Sequence, residues 1–398
     1  MDKRETDGSE KKAIDMSEDM MQLKNDGCLP GEDISKAGTS LTDIEGPDRI
    51  ATAPVKRRER DFGLDCVRIL AVCILFWLHF YLRNGFYYSE VTDFFGFVAV
   101  SFRSVFMCCI PLFLMLTGYL HCGKEWTASG YRSILPILVS YTLVSLIHLA
   151  YKIGLMNVDK TAGEWVLEFI SFKMADYSWY IGMYIGLFLL IPPMNLLWSA
   201  AKDKKQHQGI VLTFVCVTFL TSTVNTFTEF LGTNILPAYF TQIYYVTYYF
   251  IGCYIRTYRP KGNWRIMLPL VPVLGGVAAL VNVLTREDAA SFYSGYSASY
   301  SNLIIAAMSV LMFLSVYTLK THSALLKKIA AAISGVVLEM YLLSYLFDSN
   351  IYVMYKGSYG MRDYIWVGFL MTLAVFALSF IAARIVNRIT KIIVRLFV

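Results

Sequence analysis

Charged residues are scarce in this sequence. Only 17% of its 398 residues are Asp, Glu, Lys or Arg, whereas 56% are hydrophobic. A soluble domain contains about 25% charged and about 45–50% apolar residues. Because a packed core cannot absorb this many apolar side chains, the composition excludes a soluble enzyme, a collagen-like fibre and a disulfide scaffold. The net charge of +6 gives no reason to expect nucleic-acid binding, which requires a clustered basic face.

Motifs of common soluble enzymes and metal proteins are also missing. The sequence has no P-loop, no GxSxG, no HExxH and no glycine-rich dinucleotide turn. Its eight cysteines form no CxxC pair, and most lie within or beside apolar segments. We interpret them as small buried residues rather than disulfides or metal ligands. No metal site is predicted.

The first 60 residues contain no aromatic residue, and 25 of them are charged. Such a segment cannot bury enough apolar surface to fold, so it is expected to be disordered. Its basic run at residues 56–60 precedes the first apolar segment and indicates a cytoplasmic anchor, with binding to anionic lipid as the alternative. We therefore divide the chain into a polar cytoplasmic segment, residues 1–60, and a membrane domain, residues 61–398.

Ten segments after residue 60 are apolar over about the 20 residues that a membrane-spanning helix needs. They are residues 64–82, 94–120, 133–154, 178–199, 209–228, 239–256, 265–285, 300–319, 328–352 and 364–386. With the N-terminus inside, the loops and flanks of the spans from residue 56 onwards hold 20 cytoplasmic Lys and Arg residues against 7 outside, in agreement with the positive-inside rule. The sequence predicts an all-α integral protein of the cell membrane with ten transmembrane helices and both termini cytoplasmic.

Several of these segments are expected to be irregular. Pro111 is predicted to kink the second span, and Pro192 and Pro193 are predicted to break or end the fourth. Residues 328–352 are long enough to contain a break. The outer connection at residues 155–177 contains Trp165, Phe169 and Phe172 and is expected to include an interfacial or re-entrant helix.

An ionisable residue inside a span is costly, so each one is a candidate functional residue. The first span holds Asp65, Arg68 and His79. Asp65 and Arg68 are three residues apart and can pair. Arg68 and His79 are eleven residues apart, which places both on one helix face about 16 Å apart along the axis. A lipid-contacting arginine and a packing histidine remain the alternatives.

Further ionisable residues occur in later spans. Arg103 lies well inside the second span and needs an acid, a carbonyl group or an anionic ligand. Its candidate partners are Glu339 and Asp348 in the ninth span. Arg103 and Glu339 are interpreted equally well as a structural salt bridge or as part of a substrate site. His148 has no charged neighbour in its own segment, so we interpret it as a packing residue.

The first span resembles the opening of the acyltransferase 3 family of integral-membrane proteins. That family begins with an Asp-x-x-Arg element and an Arg-x10-His spacing, here Asp65, Arg68 and His79. Residues 110–120 are similar to the family's Pro-Leu-Phe-Phe-x-x-Ser-Gly-Tyr element, and weaker matches occur at residues 179–192 and 248–254. The resemblance covers residues from about 61 to 390 and is consistent with ten spans.

The resemblance implies transfer of an acyl group, usually acetyl, from cytoplasmic acetyl-CoA or another acyl-CoA to a hydroxyl group of a carbohydrate or lipid-linked glycan. The acyl-CoA would be a substrate, with no bound cofactor. By carry-over, His79 is the catalytic histidine, Arg68 is its paired arginine, and Arg132 matches one arginine of a basic element after the second helix. The chain departs from the family at Ser129, where the companion arginine is expected, and at Ser344, where many members have a second histidine.

The chemistry follows from these residues. His79 would take the proton of the acceptor hydroxyl, and Glu339 is the acid expected to fix its tautomer. Arg68, Arg103 and Arg132 would hold the CoA phosphates or stabilise the oxyanion.

Two alternatives belong to other functional classes. A transporter or exporter of a glycan or an acyl-carrying metabolite would also have ten spans with buried charges, although the sequence shows no clear internal repeat. A membrane sensor without catalytic activity is the other alternative.

Overall fold

Helices are the only regular secondary structure in the described part of the chain. The computed structural model describes residues 60–89, 91, 93–125, 127–229, 236–285, 299–355 and 363–397. The α-helices are α1 Phe62–Arg83, α2 Phe94–Phe106, α3 Cys109–His121, α4 Ala128–Arg132, α5 Leu135–Gly154, α6 Ala162–Ile170, α7 Trp179–Ala200, α8 Lys204–Val215, α9 Thr221–Glu229, α10 Tyr244–Tyr258, α11 Trp264–Thr285, α12 Leu303–Val316, α13 Ala324–Ser334, α14 Val337–Ile351 and α15 Tyr364–Phe397. Of the segment predicted to be disordered, residues 1–60, all but Arg60 lie outside the described residues.

Seven helical segments of the described chain are long and apolar enough to cross a membrane. An eighth consists of α13 and α14 together, which meet at a bend of 63°. The other two predicted spans contain the helices α10 and α12, of 15 and 14 residues, which are shorter than an ordinary crossing helix. The all-α class is confirmed. The count of ten spans and the cytoplasmic location of both termini stay predictions.

The proline residues have different effects in the second and the fourth predicted spans. α2 and α3 are separated by a turn at Met107 and Cys108, four residues before Pro111. Because Pro111 has no N–H to donate to the carbonyl of Met107, the break lies where this proline interrupts the helical hydrogen bonds. Pro192 and Pro193 instead lie inside α7, which is continuous. The prediction that they break or end the span is wrong, since neighbouring elements in a membrane protein can satisfy the freed carbonyl groups.

Two other irregularities occur where the sequence predicts them. The break expected within residues 328–352 occurs between α13 and α14. The connection at residues 155–177 contains α6, whose Val166, Leu167 and Ile170 are all more than half exposed. None of the residues of α6 is buried, so this short helix lies on the periphery of the bundle.

α1 is enclosed by other helices. Asp61 caps its first turn by accepting hydrogen bonds from the backbone N–H groups of Gly63 and Leu64, at 3.0 and 3.4 Å. Thirteen of its 22 residues are buried, and it contacts α2, α3, α12, α13, α14 and α15. The buried side chains of Asp65 and His79 therefore face protein rather than lipid.

Two glycines allow α3 and α10 to cross in direct backbone contact. A Cβ atom on Gly118 would lie 2.0 Å from the carbonyl oxygen of Tyr249, and one on Gly252 would lie 2.0 Å from that of Met115. Small residues permit such close approach of membrane helices. Since both glycines belong to the segments on which the family resemblance rests, residues 110–120 and 248–254, these segments have a packing role.

Candidate active site

His79 is buried beside a carboxylate from another helix. Its side chain is 7% exposed, and its Nδ1 lies 3.4 Å from Oδ2 of Asp348, whose side chain is fully buried in α14. Because Nδ1 faces the carboxylate, Nε2 is the nitrogen left to exchange a proton with a substrate. The contact is slightly longer than a formed hydrogen bond, and catalytic contacts of this kind often shorten when substrate binds.

A tyrosine and an arginine fix the position of Asp348. The hydroxyl of Tyr177 donates to Oδ2 of Asp348 at 2.8 Å, and Nε of Arg83 donates to the same hydroxyl at 3.1 Å. Burial and the Asp348 carboxylate raise the pKa of Tyr177 well above its usual value, so the phenol keeps its proton and donates a hydrogen bond to the carboxylate. The Tyr177 ring also stacks on the imidazole of His79, with ring centroids 3.7 Å apart.

The acid beside His79 is therefore Asp348 and not Glu339, the acid expected from the sequence. Glu339 is buried but accepts hydrogen bonds from Ser140 at 2.9 Å and from Asn387 at 2.8 Å. The residue at the position of the second family histidine, Ser344, does approach His79, with its Oγ 3.5 Å from Nδ1. The side of α14 that faces His79 thus carries Ser344 and Asp348, while Glu339 faces Ser140 and Asn387.

A cavity of about 620 Å³ extends from Arg68 towards His79. Leu75, seven residues after Arg68 on α1, lines the same cavity, so the helix face that carries Arg68 continues along it towards His79. Tyr341 also lines the cavity, and its ring centroid is 6.1 Å from that of the His79 imidazole. Tyr341 thus lines this large cavity and lies close to His79. The volume is in the range of small-molecule binding sites.

The end of the large cavity at Arg68 is cationic. Three cations, Arg68, Lys391 and Arg395, and one carboxylate, Glu339, line the cavity, and the two cations of α15 are exposed. Asp65 positions Arg68, since its Oδ1 accepts a hydrogen bond from Nη1 of Arg68 at 3.0 Å. This contact confirms the predicted pair. The other carboxylate oxygen pairs with Arg60 at 2.8 Å. Because one carboxylate binds two guanidinium groups, a net positive charge remains there for an anionic ligand.

The remaining two arginines predicted from the sequence do not line the large cavity. Arg132 is exposed on the short helix α4, beside Tyr131 and Ser133, which line a cavity of about 320 Å³ that shares His121 with the large cavity. Arg103 is buried, and its Nε donates to the hydroxyl of Tyr87 at 3.1 Å. Since Tyr87 follows the C-terminal end of α1, Arg103 lies towards the end of the bundle opposite Arg68.

Sequence reasoning missed two residues of the site, Tyr177 and Arg83. Tyr177 lies in the connection between α6 and α7, where no helical periodicity relates it to His79. Arg83 is four residues after His79 on α1, one turn further on the same face, so its proximity could have been predicted from the spacing. The completed group can accept a proton at His79 while Asp348 stabilises the resulting imidazolium ion.

Comparison with known proteins identifies the family. A family model described as an acyltransferase domain matches residues 61–384, a range that includes Arg68, His79 and Asp348. The chain matches no curated protein sequence and no solved structure. The family match and the seven or eight candidate spans are those of a membrane protein. The chain therefore belongs to the acyltransferase 3 family of membrane acyltransferases.

Proposed function

We propose that the protein moves an acyl group, most simply acetyl, from cytoplasmic acyl-CoA to a hydroxyl group of a cell-surface or lipid-linked carbohydrate in the cell membrane. The observation that carries this proposal is the buried pair of His79 and Asp348 close to a cavity whose other end holds Arg68. Transfer from a thioester to a hydroxyl needs a base for the hydroxyl. It also needs cations for the phosphate groups of CoA.

The large cavity accounts for donor binding in this proposal. Arg68, Lys391 and Arg395 would hold the phosphate groups, and the walls between them and Tyr341 are mainly apolar, as suits the linear arm of CoA. The eleven residues between Arg68 and His79 correspond to about 16 Å along α1. In this proposal the phosphates lie at the cationic end, and the thioester, at the end of the arm, lies near His79.

The reaction follows from the orientation of the imidazole. Neutral His79 holds Nδ1–H towards Asp348, and Nε2 accepts the proton of the acceptor hydroxyl as its oxygen attacks the thioester carbonyl. A carbon–oxygen bond forms and the carbon–sulfur bond breaks. The imidazolium ion then returns the proton to the sulfur of the departing CoA, so that His79 is neutral again.

Acyl transfer is tested with the full-length chain in isolated membranes that receive acetyl-CoA radiolabelled in its acetyl group. We expect the label to appear as an ester in the carbohydrate or lipid-linked glycan fraction. If the label stays in acetyl-CoA while a glycan crosses the membrane, the protein is a transporter and the proposed function is wrong.

Replacing Arg68 with alanine is expected to raise the KM for acetyl-CoA by about 10-fold to 100-fold, the range for loss of a charged hydrogen bond. The kcat should change little, because Arg68 lies about 16 Å from His79 along the helix. The measurement is initial-rate kinetics at varied acetyl-CoA. Arg388→Ala is the matched control, since Arg388 is exposed on α15 and is not among the residues lining the large cavity. Equal KM values for the two variants would contradict the placement of the donor.

Replacing Tyr177 with phenylalanine is expected to lower kcat by about 10-fold, because Asp348 loses a hydrogen bond from a protonated phenol. The ring that stacks on His79 is retained, so the KM for acetyl-CoA should not change. Tyr345→Phe is the matched control: the Tyr345 ring centroid is 5.8 Å from that of Tyr177. In the described part of the chain its hydroxyl has no hydrogen bond. An equal loss of kcat in both variants would show that Tyr177 acts through packing alone.

A further inference from the structure

A third cavity lies at the other end of α1. It has a volume of about 490 Å³ and is formed by Leu82 and Arg83 of α1 and by side chains between Phe172 and Trp179. It shares no lining residue with the large cavity. Arg68 and Arg83, which line one space each, are fifteen residues apart, or about 22 Å along the helix. We call this space the outer-end hollow.

One aromatic ring separates the outer-end hollow from the base. Tyr177 lines the hollow, and the same ring stacks on His79 at 3.7 Å between centroids. Tyr341 lines the large cavity and also lies close to His79. Each of two cavities is therefore lined by a tyrosine next to His79: Tyr177 lines the outer-end hollow, and Tyr341 lines the large cavity.

The lining of the outer-end hollow combines aromatic side chains with three charged ones, Arg83, Asp176 and Lys173. Trp179 lines the hollow and is 43% exposed, and its indole ring is stacked on the ring of Tyr300 with centroids 6.3 Å apart. Nη2 of Arg83 donates a hydrogen bond to Oδ2 of Asp176 at 2.7 Å, and the Asp176 side chain is 37% exposed. A carboxylate accepts hydrogen bonds from hydroxyl groups, and a guanidinium group has further N–H donors for hydroxyl oxygens. An apolar face beside such a pair suits a sugar ring, which has apolar C–H faces and polar hydroxyl edges.

We propose that the outer-end hollow binds the sugar ring that carries the acceptor hydroxyl. Trp179 packs against the ring face, and Asp176 and Arg83 hydrogen bond to hydroxyl groups at its edge. The reacting hydroxyl reaches His79 past the edge of the Tyr177 ring. This inference rests on the proposed acyl transfer, and it adds the place where the carbohydrate acceptor binds, from which the acceptor approaches His79 at the end of α1 opposite the acyl-CoA.

The test uses the full-length chain in lipid nanodiscs with radiolabelled acetyl-CoA and two acceptors. p-Nitrophenyl β-D-glucopyranoside is the sugar probe, and octan-1-ol is a hydroxyl acceptor without a ring. Trp179→Ala and Asp176→Asn are each expected to lower kcat/KM for the glucoside by about 10-fold, because they remove a packing surface or a charged hydrogen-bond acceptor. For Trp179→Ala, the KM for acetyl-CoA and the rate with octan-1-ol should stay within about twofold. The matched controls are Trp366→Ala and Asp159→Asn, at exposed positions outside the hollow.

The outcomes separate the two proposals. An equal loss with glucoside and octan-1-ol, or no loss with either, would overturn the sugar-binding role of the hollow. Wild-type transfer to octan-1-ol but not to the glucoside would also overturn it, while acyl transfer itself would stand. Wild-type transfer to neither acceptor would reject the proposed acyl transfer to hydroxyl groups, and the assignment of the hollow with it.

Discussion

Replacing His79 with alanine is expected to lower the rate of acyl transfer by about 10²-fold to 10⁴-fold, the usual contribution of a general base. The imidazole lies next to Asp348, with 3.4 Å between Nδ1 and Oδ2, and alanine at this position has no group that can accept the hydroxyl proton. The measurement is the initial rate of label transfer from radiolabelled acetyl-CoA, normalised to the amount of folded protein. Binding of acetyl-CoA should be retained, because His79 does not line the large cavity.

His148 provides the control for this variant. It is also a buried histidine in a span, but its Nδ1 lies 2.9 Å from the backbone oxygen of Val144 one turn earlier in α5, and it lines none of the three cavities described above. His148→Ala tests the general effect of removing a buried imidazole and should retain most of the transfer rate per folded molecule. Normal transfer by His79→Ala, or equal losses in the two variants, would reject His79 as the base.

The choice between Glu339 and Asp348 shows what the sequence could determine. Nine residues separate them, or 2.5 helical turns, so they point to opposite sides of α14. Ser344 lies at the position of the second family histidine, and it indicates which side faces His79. Asp348 is four residues after Ser344 and shares that side, whereas Glu339 is five residues before it and does not. The sequence therefore contained enough spacing information to select Asp348.

Other parts of the site depend on tertiary packing that spacing does not encode. Tyr177 reaches Asp348 from a connection whose path is set by contacts with the bundle, so no periodic pattern points to it. The continuity of α7 through Pro192 and Pro193 is a tertiary effect of the same kind. The pairing of Asp65 with Arg68 could be predicted, because both partners lie on one helix at a fixed distance.

The second large effect concerns folding. Replacing either Gly118 or Gly252 with alanine is expected to prevent the normal packing of α3 against α10. Each new methyl group would lie 2.0 Å from a backbone carbonyl oxygen of the other helix, and a backbone atom cannot rotate away as a side chain can. Overpacking of side chains costs about 1–3 kcal/mol, and a backbone contact leaves less room for relaxation. We therefore expect little monodisperse protein after detergent extraction, or an apparent Tm lower by about 10 °C, using about 2–4 °C for each kcal/mol.

Two other helical glycines test whether the effect comes from the crossing. A Cβ atom on Gly186 of α7 or on Gly276 of α11 meets no atom within 4 Å, so alanine there should be tolerated and favours helix by about 1 kcal/mol. Gly186 is the more demanding control, because it lies in residues 179–192, another segment of the family resemblance. If Gly186→Ala lowered the yield as much as Gly118→Ala, the glycines would matter for a reason other than steric contact. A normal yield for Gly186→Ala with loss for Gly118→Ala and Gly252→Ala would assign the requirement to the close approach of α3 and α10. Because α3 also lines the large cavity with Ile110, Phe113 and Leu116, this crossing fixes one wall of the proposed donor site.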